Sequence, residues 1–243
     1  SSTARGASRE NLDFYPTPGW CVDLLLDALF DDPAAGRIFP APDLVTALEP
    51  AAGDGAIVKR LLARGVPAEN IGAIEIDPTR AETVRAIVSD VRCGDFIRDP
   101  MLAALRRPDF IVTNPPFALA ADFVKTALFL AGDRGTVALL LRLNWLGSQE
   151  RAAFHRAHPS DILLLPKRPE FTASMSCSAK KTGGACKWRA TLPIEAERPR
   201  SCPLCGERTT CSTTDSIEYA WFVWGPGRGN RWSILPMPAE RGR

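Results

Sequence analysis

The sequence has no apolar run long enough to cross a membrane, which excludes a helical span. It also lacks an apolar signal core near its start and any low-complexity tract. These absences set the expectation of a cytoplasmic protein with a packed core. Histidine is scarce: the two residues, His155 and His158, sit three apart in a helix-like stretch and read as a solvated helix end rather than a metal pair. Net charge is nearly absent at +2, but it is unevenly placed. Residues 151–243 carry about seven more basic than acidic side chains, and the first 150 are net acidic by about five. A basic C-terminal part suits a polyanion partner, and it equally suits a plain solvated surface.

Cysteine is where composition becomes informative. Of seven, Cys21 and Cys93 stand alone among apolar neighbours and read as buried thiols. Cys177, Cys186, Cys202, Cys205 and Cys211 crowd into 35 residues, which without secretory features favours metal over disulfides.

The first eleven residues are small and polar and read as a flexible lead-in. Helical spacing at 20–30 is followed by short apolar strands at 44–50, 71–77, 91–96, 109–114, 136–146 and 161–166. Helices fit between them at IVKRLLARG, PTRAETVRAIVSD, ADFVKTALFLA and SQERAAFHRAH. Alternation at this spacing predicts an α/β fold, a mainly parallel sheet with helices on both faces. The pattern stops after residue 172. A polar, Cys-rich stretch without sustained periodicity follows, then an aromatic strand resumes in SIEYAWFVWG, with RWSIL a candidate for a last one. The expected organisation is one domain, 12–172 with 214–243, interrupted by an insertion at 173–213.

Ligands of open parallel sheets sit beyond the carboxyl ends of the strands, and four motifs fall there. Glu49-Pro50-Ala51-Ala52-Gly53-Asp54-Gly55 offers glycines for close backbone approach and a helix N-terminus. It is no phosphate loop: the G-K-[ST] element is missing and the two carboxylates repel phosphate. Glu75, about twenty residues on, is placed to accept from a ribose diol, whereas Asp77 before Pro78 suits a helix cap. Gly94-Asp95-Phe96 offers a carboxylate for an exocyclic amine and a ring to pack on a base. Asn114-Pro115-Pro116-Phe117 leaves its strand through two rigid prolines.

In that order, and preceded by Phe14-Tyr15-Pro16-Thr17-Pro18, these motifs resemble the S-adenosylmethionine-dependent amino-methyltransferases, whose signature is [DNS]-P-P-[YFW]. The arrangement is similar to gamma-type DNA N6-adenine methyltransferases, and most of all to the small phage and prophage enzymes. Residues 218–225, EYAWFVWG, match the strand near the end of those enzymes. The resemblance covers about residues 14–165 plus that strand. It implies a Rossmann-like methyltransferase fold and methyl transfer to an adenine amine of flipped DNA, in a bacterial or phage-infected cell.

It also implies roles for matched residues. Tyr15 and Thr17 line the methionine end of the cofactor, although Tyr15 serves equally as a packing aromatic. Glu49, Ala51, Gly53 and Gly55 surround the methionine moiety. Glu75 meets the ribose, and Asp95 with Phe96 meets the adenine ring. An exocyclic amine is a poor nucleophile because its lone pair is delocalised. The Asn114 side-chain oxygen and the Pro115 carbonyl hold its two hydrogens and favour a tetrahedral nitrogen, with Pro116 stiffening the arc. Phe117 supplies a stacking face. The large separate target-recognition domain of gamma enzymes has no counterpart in this sequence, which leaves the recognition sequence open.

Cys202-Pro-Leu-Cys205-Gly is a zinc-knuckle half-site, with Gly206 permitting the turn that aims amides at sulfur. Cys177 and Cys186 are the expected other half of a structural zinc site, with Cys211 spare or an alternate ligand. Lys180, Lys181, Lys187, Trp188 and Arg189 in the same insertion suit contact with a nucleic-acid backbone. Two other readings stay open: the same chemistry on cytosine N4, RNA adenine or protein glutamine, and a non-catalytic zinc-bearing nucleic-acid binder.

Overall fold

A computed structural model describes residues 16–31, 38–99, 107–177, 179–181, 184–193, 197, 199–212 and 217–238. The chain divides into two units, Ser1–Lys167 with Ile217–Arg243, and Arg168–Ser216. The first unit holds β1 (Ala47–Glu49), β2 (Ile71–Glu75), β3 (Asp90–Cys93), β4 (Phe110–Thr113), β5 (Thr136–Arg142) and β6 (Asp161–Leu164). The second holds β7 (Thr172–Ser176), β8 (Lys180–Lys181), β9 (Gly184–Ala185), β10 (Arg189–Pro193) and β11 (Thr210–Ser212). The chain then returns to the first unit with β12 (Tyr219–Trp224) and β13 (Trp232–Ile234). The described helices, all in the first unit, are α1 (Gly19–Phe30), α2 (Ala56–Arg64), α3 (Pro78–Arg85), α4 (Ala120–Ala131) and α5 (Ala152–Ala157).

The first unit's sheet has eight strands in the order β13-β6-β12-β5-β4-β1-β2-β3. β1 to β5 run parallel, and the chain winds outward in both directions from the β1–β4 pair. The exception is β12, which lies antiparallel between β5 and β6. The sequence expectation of a mainly parallel sheet holds with this one reversal. An apolar aromatic strand carries the same pattern whichever way it runs.

Side chains alternate across a strand, so the two faces can be followed separately. Val137, Leu139 and Leu141 of β5 and Ala220, Phe222 and Trp224 of β12 pack with Phe123, Val124 and Ala127 of α4. The opposite parity meets α1: the Trp221 indole donates to the Cys21 carbonyl at 2.9 Å. Helices therefore cover both faces, which is why β5 reads as an unbroken apolar run. α1 also presents Asp23, Asp27 and Asp31 at helical spacing to α2, where Arg60 pairs with Asp23 and Arg64 with Asp27 and Asp31. Such surface pairs contribute about 0–1 kcal/mol each, so buried Leu25, Leu26 and Leu29 dominate the docking of α1.

The second unit contains regular structure that the lack of sustained periodicity did not reveal. Among its described residues are a three-stranded antiparallel sheet, β10-β7-β11, and the two-stranded β8–β9. β8 and β9, of two residues each, are too short to display a period of two. Cys93, expected to be buried, is exposed, because it is the last residue of the edge strand β3.

Asp161, at the start of β6, is 1% exposed and anchors the turn between β12 and β13. Its carboxylate accepts from the Gly229 and Arg231 amides at 2.9 and 3.2 Å and from the Arg228 and Arg231 side chains at 3.0 and 3.1 Å. The Arg228 side chain is only 2% exposed. Removing one partner of such a pair strands the other charge. Asp161→Ala should lower stability in urea denaturation by about 3–5 kcal/mol, whereas Arg231→Ala, whose side chain is half exposed, should cost far less.

Candidate active site

The outward winding from β1 and β4 brings four strand ends to one edge. Glu49 closes β1, Glu75 closes β2, Gly94 and Asp95 follow β3, and Asn114 follows β4. Together with Pro16, Thr17, Ala51, Gly53, Asp54, Phe96, Pro115, Pro116 and Phe117 they line one cleft. Tyr15 lies outside the described residues. Ile76, Arg80, Ile97 and Leu119 also line the cleft and were not anticipated. Ile76, an apolar residue 66% exposed at a strand end, is the signal that would have found it.

The glycine loop works as its composition suggests. Gly55 adopts φ of +79° just before α2, and a Cβ there would meet Ile87 Cδ1 at 2.7 Å. Gly53, at φ of +56°, donates its amide to Glu75 Oε2 at 2.6 Å. Glu75 Oε1 accepts from the Asp77 amide at 2.9 Å, so this carboxylate binds the loop of β1 to the turn after β2. Asp77 itself caps α3, accepting from the Thr79 and Arg80 amides, as its place before Pro78 indicated. Asp95 accepts from the Ile97 and Arg98 amides and ties the turn after β3. Phe96 is 2% exposed and packs against Phe123 with ring centroids 5.3 Å apart, so its ring belongs mainly to the core beneath the cleft.

Asn114 occupies the corner at the mouth of β4. Its amide nitrogen donates to the Thr17 hydroxyl at 3.1 Å, which turns the amide oxygen away from Thr17. That oxygen, Oδ1, is buried and has no partner. An acceptor left in this state costs about 1–3 kcal/mol unless a ligand satisfies it. Beside it, the Phe117 ring is already in company. The Arg142 guanidinium lies over it, 4.3 Å from its centroid, and the Tyr219 ring sits 5.5 Å away at a 47° tilt.

Glu49 is the second orphan. It is 2% exposed, and its Oε2 has no partner. Burial pushes its carboxyl well above the ordinary 4.5, with the Val58 amide pulling the other way and the Asp54 and Glu75 charges adding to the rise. The cleft thus holds a buried acid that its surroundings make hard to ionise, with Asp54, Glu75 and Asp95 and also Arg80 in the lining.

In the second unit, the sulfurs of Cys177, Cys186, Cys202 and Cys205 lie within 4.8 Å of one another. The Cys177–Cys205 and Cys186–Cys202 sulfur separations are 3.5 and 3.7 Å. Disulfide sulfurs approach to about 2 Å, whereas four thiolates tetrahedral about zinc at about 2.3 Å stand about 3.8 Å apart. The donor set therefore fits zinc. Burial opposes ionisation of Cys202, but the Leu204 and Cys205 amides together with the Cys205 and Cys186 side chains bring this thiol down to about 7. Cys211 is exposed on β11 and is not one of the four. Lys187 and Arg189 are exposed. Lys180 and Lys181 form β8, and their side chains lie outside the described residues.

No family model matches the chain. It is 26% identical over 94% of its length to the mycinamicin-resistance protein MyrB of Micromonospora griseorubida, covering 71% of that protein. Among solved structures it resembles the methyltransferase subunit of a type I restriction-modification system from Streptococcus thermophilus. The TM-score is 0.56 at 14% identity, over 91% of this chain and 47% of that one. It also resembles a Pyrococcus horikoshii protein provisionally described as an RNA methyltransferase, with a TM-score of 0.52 at 15% identity over 90% of each chain. The fold class is thereby defined: a Rossmann-like methyltransferase fold, here carrying a small unit with a four-cysteine cluster. No helix among the described residues is long and apolar enough to cross a membrane.

The Glu49 environment has a pH signature. Folding raises this carboxyl well above the 4.5 at which the unfolded chain ionises it. Its contribution to stability is therefore fully present below about 4.5 and is lost as pH rises through the raised value. Glu49→Gln should raise the melting temperature of the ligand-free protein at pH 8 and not at pH 4, while weakening capture of a cationic ligand.

Proposed function

We propose that the chain transfers a methyl group from S-adenosylmethionine to the N6 amine of an adenine flipped out of DNA. The observation that carries this reading is Asn114 Oδ1, a buried acceptor with no partner, at the mouth of a cleft built for a cationic ligand. S-adenosylmethionine when bound supplies an electrophilic methyl on a sulfonium. Everything else is asked of the chain's own residues.

The cofactor residues are Glu49 with the Ala51, Gly53 and Gly55 backbone for the methionine end, joined by Tyr15 and Thr17. Glu49 Oε2, unpartnered and buried, suits an ammonium, whose charge would favour ionisation of this acid. Glu75 suits the ribose through the lone pairs its two backbone bonds leave free. Asp95 suits the adenine amine, and Phe96, with exposed Ile76 nearby, supplies apolar contact for the ring.

At the acceptor, Asn114 Oδ1 and the Pro115 carbonyl hold the two amine hydrogens and draw the nitrogen lone pair out of conjugation. The Thr17 bond keeps the amide from flipping to present its NH₂, and Pro116 keeps the arc rigid. Phe117 stacks on the base, which helps offset the few kcal/mol of extrusion. The cluster of Cys177, Cys186, Cys202 and Cys205 holds a structural zinc. Four thiolates leave no open position, so the metal serves folding and not the reaction. Lys180, Lys181, Lys187 and Arg189 of the same unit contact the nucleic-acid backbone.

DNA is supported by the motif order and by the likeness to a restriction-modification subunit. RNA adenine is the second reading, supported by the likeness to the Pyrococcus protein. Labelled S-adenosylmethionine offered with DNA, RNA and protein in parallel separates them, and digestion of the product names the methylated base. Asn114→Ala should lower turnover by about 10²–10³-fold or more with cofactor affinity nearly intact. Equal turnover in the two proteins would sink the reading.

Zinc is tested separately. The purified chain should carry one zinc ion, released with loss of protease resistance in residues 168–216 when a strong chelator is added. Cys202→Ser should lower metal content in the same way, and a metal-free wild type of unchanged protease resistance would refute the assignment.

A further inference from the structure

Arg142 ends β5, beside the corner that Asn114 makes at the end of β4, and the cofactor reading gives it no work. Its guanidinium is stacked on Phe117, 4.3 Å from the ring centroid. Its Nε donates to the Tyr219 hydroxyl at 3.3 Å, and Tyr219 is 1% exposed and thus fixed in the core. Among the described residues no carboxylate pairs with Arg142, although Arg60, Arg64, Arg85, Arg98, Arg228 and Arg231 all have one. The acids of the cleft, Glu49, Glu75 and Asp95, bond elsewhere or stand unpartnered.

A guanidinium held flat by a ring, and at its inner edge by a phenol, has one direction left in which to bind. Its two Nη groups carry the forked donors that match a phosphate in plane. Arg142 is half-buried, so its charge is partly stripped of water with no counterion among the described residues. We propose that Arg142 binds a phosphodiester of the DNA strand next to the base presented to Asn114. The proposal rests on the functional reading above. It deepens that reading by naming a phosphate contact at the active site itself, outside the lysine-bearing second unit. Base, sugar and phosphate are contiguous, so a residue stacked on Phe117 is within reach of the phosphates flanking a base bound there. The contact also bears on base entry. The guanidinium covers Phe117 in the free protein, and a phosphate that draws it outward would clear that ring for the base.

The probes are adenine-containing DNA duplexes, matched RNA, and DNA with single methylphosphonate linkages on either side of the target adenine. Wild type, Arg142→Gln and Arg142→Lys are compared for binding across salt and for methyl transfer. Arg142→Gln should weaken DNA binding by about tenfold or more and reduce the slope of log K against log salt by about 0.9, with cofactor affinity unchanged. Arg142→Lys should restore the slope and only part of the affinity, since it lacks the planar fork. A methylphosphonate at the contacted position should weaken wild type to a similar degree and leave Arg142→Gln unaffected. The same slope change with RNA as the preferred polymer upholds the phosphate contact and changes its source. An active wild type whose slope is unchanged by Arg142→Gln, or losses that add at every flanking position, overturns this proposal alone. A wild type that neither binds nor methylates either polymer overturns the functional reading as well.

Discussion

The strand Tyr219–Trp224 is the member on which the first unit depends. All six of its residues are buried, and it pairs antiparallel with β5 on one side and β6 on the other. Its Phe222 and Trp224 complete the core under α4, and its Trp221 reaches the other face to hold the Cys21 carbonyl of α1. That tie fixes the helix whose leading residue pair, Thr17-Pro18, approaches Asn114 from 97 positions away in sequence. The orientation of one side-chain amide at the cleft therefore depends on an indole in the middle of the sheet. Tyr219, at the start of the same strand, steadies Arg142 and Phe117. A single segment, reached after the excursion through the second unit, sets both sides of the candidate reaction centre.

The cleft itself is built against its own stability. Glu49 has an unpartnered oxygen and a carboxyl that burial pushes above its ordinary range, and Asn114 keeps a buried acceptor unmatched. Both costs are of the kind that disappear when the right ligand arrives: a cation for the first, an N–H donor for the second. Elsewhere in the same cleft, two carboxylates do have partners. Glu75 and Asp95 bind backbone amides and hold the loops after β1 and β3. Glu75 and Asp95 thus shape the cleft and keep lone pairs to spare, whereas Glu49 and Asn114 each hold an oxygen with no partner at all. The second unit solves a different problem by the same economy. Fewer than fifty residues bury little apolar surface, and a cluster of four sulfurs takes the place of a larger core.

Much of this was legible beforehand because it is local. Apolar runs bounded by Gly, Pro and Asp marked each strand and the chemistry at its end, and Asp77 before Pro78 announced its own cap. Cys202-Pro-Leu-Cys205 declared a turn that aims amides at sulfur. What escaped depends on neighbours far along the chain. Cys93 sits on an edge that only the strand order creates. Ile76 becomes a wall of the cleft only because β2 ends at the same edge as β1. Phe96 was read as a ring offered to a ligand, and it lies in the core because Phe123 packs against it.

The sequence by itself determined the alternation of strands and helices, the acids and glycines at the strand ends, the rigid corner at 114–117 and which four cysteines cluster. Each of these is a property of a few consecutive residues or of their order. Only the tertiary structure decided that β12 runs backwards, that Thr17 holds the Asn114 amide by its nitrogen, and that Arg142 lies on Phe117 without a carboxylate. Those facts join residues 25 to 97 positions apart, and their geometry exists only once the sheet has closed around them.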